Sequence, residues 1–163
     1  MKKDRFLTGI LIFIGLLVVA AVVLFFVRGQ DQTYDSEDTP GGVVHNYVLA
    51  LQNMDYQRAY DYLADKGSKP TYEAFRQAFL TRQMDTSNST LQVGKAYLDD
   101  DGAGAWLEVS VLFAGSGLLD QGWSSNDKGT LIQQGGNWKI TYLPYPYWGW
   151  DWYTPTPYPI KSP

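Results

Sequence analysis

The sequence predicts an α+β protein: an N-terminal transmembrane helix, then three helices packed against a curved antiparallel sheet of about four to six strands. Three observations carry this. Residues 6–27 are an unbroken apolar run, residues 40–82 repeat their apolar side chains at helical spacing, and from 90 onward the repeat shortens to two. The chain therefore divides into a short N-terminus (1–5), the span (6–27), an acidic stalk (28–39), an α+β domain (40–143) and a Pro- and aromatic-rich tail (144–163).

The run FLTGILIFIGLLVVAAVVLFFV has no charge, and Thr8 is its only polar side chain. As a helix it reaches about 33 Å, against a bilayer core of roughly 30 Å. Lys2, Lys3 and Arg5 precede it, while Asp31, Asp35, Glu37 and Asp38 follow. That bias places the N-terminus in the cytoplasm and the domain outside, as a single-pass protein of the cell membrane whose partner along 6–27 is the lipid bilayer. No small-residue cleavage site follows the run, which reads as an uncleaved anchor.

Composition narrows the chemistry. The chain has no cysteine, which excludes disulfides, a thiol nucleophile and a cysteine-held metal. From Arg28 onward ten Lys and Arg stand against sixteen Asp and Glu, a net charge of −6 and the wrong sign for tracking nucleic acid.

Within the domain, Thr39 caps a helix that Pro40 opens and that ends near Asn53. Val43, Val44, Tyr47, Val48, Ala50 and Leu51 form its core stripe, and His45, Asn46 and Leu49 fall outside it. Asp55 caps a second helix from Tyr56 to about Ala64, and Thr71 a third to about Arg82, with Tyr72, Phe75, Ala78 and Phe79 inward. Strands are expected over 90–98 and 105–114, joined at Asp99–Gly102, with Leu107, Val109, Val111 and Phe113 on one face. The stretch 115–129, rich in Gly, Ser and Asn, reads as a long irregular connection with room for a short strand at 118–123. A last hairpin turns at Gly135-Gly136, with Trp138, Ile140 and Tyr142 sharing a face. The tail holds six of the eight prolines and three of the six tryptophans. Proline at that density favours extended chain, in which Trp148, Trp150 and Trp152 would share one side.

The phrase Val44-x-x-Tyr47-x-x-Ala50-Leu51-x-x-x-Asp55-Tyr56-x-x-Ala59-Tyr60-x-x-Leu63, with Gly136-Asn137-Trp138-Lys139-Ile140 near the end, resembles the nuclear transport factor 2-like superfamily, most nearly its small bacterial membrane-anchored members of unknown function. The resemblance covers about 40–143. It implies a cone with an apolar cavity between sheet and helices, in a superfamily that mixes isomerases and cyclases with binding and scaffold proteins.

Tyr47, Tyr60, Tyr97, Trp106 and Trp138 are the candidate cavity residues, and Trp148, Trp150 and Trp152 a candidate recognition surface. No Asp or Glu lies on a predicted apolar stripe, so no catalytic residue is assigned; Asp61 and Asp85 read as solvated or capping groups. His45 stands alone, which excludes a multi-histidine metal site, and three consecutive aspartates at 99–101 cannot surround a cation by themselves. No metal or cofactor is expected. The reading is a membrane-anchored extracytoplasmic binding or accessory module for a small apolar ligand, a protein or a glycan. The alternatives are an isomerase- or cyclase-type enzyme using a buried tyrosine with a carboxylate, and a structural domain that forms homodimers. If the tail buries its tryptophans it acts as a clasp, with at least one of the three left exposed at the rim.

Overall fold

In the computed structural model the backbone is described for residues 5–28, 33–115, 117 and 121–153, and within the first of these runs the side chains for 9–23. Two compact units result, residues 1–33 and 34–163. The first contains α1, Arg5–Arg28, a helix of 24 residues. Among the described residues no helix is long and apolar enough to cross a membrane. This corrects the expectation of a transmembrane helix at 6–27, and with it the single-pass, extracytoplasmic localisation.

The second unit is α+β. Its first helix, α2 (Pro40–Gln52), begins where expected: Thr39 is extended, and its side chain accepts the amide of Gly42 at 3.1 Å. It ends at Asn53, after which Met54 turns into the left-handed region (φ 58°). There the amides of Met54 and Asp55 bond back to Leu51 and Ala50 at 3.0 and 2.8 Å, satisfying the last carbonyls.

Asp55 and Thr71 cap α3 (Tyr56–Asp61) and α4 (Tyr72–Leu80) by accepting the amides of Arg58 and Ala74, each at 3.2 Å. The second of the three helices stops short of Ala64 because residues 62–64 bond to the sheet instead. The Tyr62 carbonyl accepts the Ile140 amide at 2.8 Å, and the Ala64 amide donates to the Ile140 carbonyl at 2.9 Å.

Strands β1 (Ser89–Leu98), β2 (Gly104–Phe113), β3 (Trp123–Gln134) and β4 (Asn137–Tyr142) make one antiparallel sheet in chain order. The largest correction is β3. The polar stretch 123–129 is no loop but the first half of a strand paired with β2 from Phe113↔Trp123 to Leu107↔Gly129. The final hairpin turns at Gly135 and Gly136, both at positive φ (60° and 82°), a geometry that glycine adopts without strain. A bulge between Thr130 and Leu131 shifts the β3–β4 register, so Tyr142, expected inward beside Trp138 and Ile140, is exposed.

Helix α2 packs against the sheet around a core that includes Val44, Tyr47, Leu63, Phe75, Leu107, Val109, Val111 and Ile140. Asn46 and Leu49, expected outward, are buried too, and at Asn46 it is the chain before Thr39 that lies alongside α2. The Asn46 side chain accepts the Asp35 amide at 2.7 Å and donates to the Asp35 carbonyl at 2.9 Å. Nearby, the Arg58 guanidinium sits 3.3 Å over the Tyr34 ring.

Candidate functional site

The eight aromatic residues singled out from the sequence occupy three places. Tyr47 and Trp138 are in the core, and the Tyr47 hydroxyl donates to the Tyr147 carbonyl at 2.7 Å. Tyr60 is half-buried beside Phe75, its hydroxyl donating to the Pro70 carbonyl at 2.9 Å. Tyr97 and Trp106 are cross-strand partners on the outer face of the sheet, since Ala105 and Leu107 on either side of Trp106 point into the core. Their rings stack at 4.1 Å, with Lys95 over one and Lys128 over the other. Tyr97 meets a carboxylate, Glu108 at 3.2 Å, but on that exposed face. The hydroxyls of Tyr47 and Tyr60 are spent on backbone carbonyls, so neither is arranged with an acid for proton transfer.

Beyond Leu143 the chain folds back over the helices, as far as Tyr153; residues 154–163 lie outside the described residues. It does so through turns rather than as extended chain, with the Tyr147 amide bonded to the Pro144 carbonyl and the Trp152 amide to the Gly149 carbonyl. The three tryptophans therefore do not share a side. Trp148 and Trp152 turn inward and meet edge to face at 5.1 Å, with Trp152 against Phe75 and Phe79. Tyr147 is buried, its hydroxyl donating to the Ser89 carbonyl at 3.1 Å, and the Tyr153 hydroxyl donates to the Ala64 carbonyl. Gly149 permits this packing, because a Cβ there would lie 2.5 Å from the Trp152 indole nitrogen.

Trp150 is left 84% exposed between these anchored neighbours. It stands at a cleft of about 280 Å³ between the tail and α4. Ala74 and Ala78, one helical turn apart, give the cleft its depth on the α4 side, and Ser68, Gln83 and Asp151 supply polar groups. Asp151 is the one charged residue among the described lining residues. Sequence reasoning found the tryptophans but not Ser68, Ala74, Ala78 or Gln83. The Ala74–Ala78 pair was the available signal, since two small residues one turn apart leave room for something to approach a helix.

Burial sets the electrostatics of the clasp. Desolvation raises the Tyr47, Tyr147 and Tyr153 hydroxyls above the usual tyrosine range, with Asp65 adding repulsion at Tyr153. Tyr62, beside Glu37, is raised as well, again chiefly by burial. An unfolded tyrosine ionises near pH 10 while these keep their protons, so their contribution is complete below that pH and is lost as pH rises above it. Thermal unfolding is expected to be flat in pH from about 7 to 9 and to fall steeply above about 10. Tyrosinate absorbance should show a late group that ionises only as the protein unfolds.

No protein-family model matches the chain, and no curated protein matches it. Solved structures resemble it in backbone. A cystatin-like protein of unknown function from Nostoc punctiforme is 15% identical, over 60% of this chain and 80% of that one, at a TM-score of 0.46. A Mycobacterium tuberculosis protein solved in complex with estradiol-17β-hemisuccinate is 13% identical, over 62% and 91%, at 0.37. A polyketide cyclase-like protein from Xanthomonas campestris is 23% identical, over 61% and 83%, at 0.34. The structural neighbours of this chain thus include cystatin-like and polyketide cyclase-like folds, a likeness of backbone and not of chemistry.

Proposed function

We propose that this protein is a binding module whose site is the tryptophan cleft, and that its ligand is a neutral molecule offering a flat apolar face and hydroxyl groups, the chemistry of a sugar ring. The exposure of Trp150 carries the reading. An indole held in water is unfavourable unless something covers it, and the buried Trp148 and Trp152 on either side fix where it stands. Its flat face suits the C–H side of a pyranose, and Ser68, Gln83 and Asp151 line the cleft where ring hydroxyls would meet them. With Asp151 as the charged lining residue, an anion is disfavoured.

The test is titration of the full chain with neutral oligosaccharides, followed by tryptophan fluorescence and calorimetry. Binding that Trp150→Ala weakens by about tenfold or more, with the melting temperature unchanged, supports the site. If no oligosaccharide binds at millimolar concentration, or if Trp150→Ala destabilises the fold as a core truncation does, the reading fails.

A further inference from the structure

A second cleft, of about 550 Å³, lies between the C-terminal ends of α2 and α4 and the start of β1, away from Trp150. Leu51, Met54, Phe79 and Met84 give it apolar walls, and Arg82 is the one cationic side chain among its described lining residues.

The two helices that end here do so in the same uncommon way. Met54 follows the last turn of α2 at φ 58°, and Arg82 follows α4 at φ 57°. This is the position just past a helix where glycine is favoured, because a Cβ strains the left-handed conformation. Neither helix uses glycine, and both side chains so retained line one cleft. Folding explains neither choice. Met54 is 71% exposed, so its thioether gains little from burial in the protein itself.

Among the described residues the Arg82 guanidinium makes no salt bridge and no hydrogen bond. Asp85 lines the cleft as well, but its carboxylate is held by Ser87, accepting the Ser87 amide at 2.9 Å and the Ser87 hydroxyl at 2.6 Å. Those bonds, more than Arg82, hold the Asp85 carboxyl below its usual range. A guanidinium without a fixed partner, at the mouth of an apolar cleft, matches a carboxylate joined to a hydrocarbon body.

We infer that this cleft binds an anionic amphiphile, a carboxylate on an aliphatic chain, with Arg82 pairing the head group and Met54, Leu51 and Phe79 covering the chain. The two clefts share Met84 in their walls, but Arg82 and Met54 line only this one and Trp150 only the other, so the two readings fail separately.

The probe is dodecanoate at submicellar concentration, titrated calorimetrically into the full chain, with dodecanol as the uncharged control. Arg82→Gly and Met54→Gly discriminate, because each relieves a left-handed backbone and should raise the melting temperature slightly, as a purely structural position would predict. If the inference holds, both nevertheless weaken dodecanoate binding. Arg82→Gly should do so by about ten- to a hundredfold, the loss expected for a charge-assisted pair, and Arg82→Lys by less. Trp150→Ala should leave dodecanoate binding unchanged. Undetectable binding of dodecanoate, equal affinity for dodecanol, or an Arg82→Gly protein that binds as the parent does would each overturn it.

Discussion

A chain ended after Leu143 is expected to lose its cooperative thermal transition. The described part of the tail contributes Tyr147, Trp148 and Trp152 to the core, at 1%, 4% and 9% exposure, and supplies the carbonyl that the buried Tyr47 hydroxyl needs. Truncating one large core aromatic costs about 3–5 kcal/mol, and removing three together approaches or exceeds the roughly 5–15 kcal/mol that holds a whole domain folded. The shortened protein would also expose Phe75 and Phe79, against which Trp152 packs. Near-ultraviolet circular dichroism and a melting curve decide it. A sharp transition within a few degrees of the parent would mean that the tail rests on a core already complete without it.

Phe75→Ala should destabilise the full chain by about 3–5 kcal/mol and lower its melting temperature by about 10 °C or more. The side chain is fully buried and is the meeting point of three segments. Its ring lies 6.5 Å from that of Tyr47 on α2, 5.5 Å from Tyr60 on α3 and 5.3 Å from Trp152 in the tail. None of these can move into the vacated space without abandoning its other contacts, so most of the cavity stays open. Phe75→Leu, which keeps most of the volume, should lose markedly less. An Ala variant that melts with the parent would contradict the packing of tail on helices.

What was legible in the sequence was local. Thr39, Asp55 and Thr71 announce three helix starts because a cap acts within three residues of itself, and all three cap as read. The glycine pair at 135–136 is equally self-contained. What was not legible depends on a distant partner. Ser124-Ser125-Asn126-Asp127 has the composition of a loop, and only pairing along the whole of β2 makes it a strand. Asn46 reads as a solvent residue until the Asp35 backbone is brought to it. The candidate site divides the same way. An excess of tryptophan in the tail marked the region, but which indole faces out was decided by turns at Pro144–Tyr147 and Gly149–Trp152. The opposite wall, with Ser68 and Gln83, comes from elements that nothing in the tail identifies. The N-terminal segment shows the converse, a strong compositional signal at 6–27 for which the described structure has no membrane-crossing helix.

Strand β3 has twelve residues and β4 six, and β4 reaches only as far as Thr130. Among the described residues, then, the run 123–129 is held by β2 on one side and open on the other. In deuterated water the two sets of amides along it should part company: those bonded to β2 are expected to stay protonated, while the alternate ones, facing outward, exchange with solvent, a sawtooth in exchange rate with a period of two. An open edge of this kind is also where a foreign strand would add itself. The charged and polar residues along it, Lys128 and Asp127 with Asn126 and Ser124, make this stretch a poor template for aggregation.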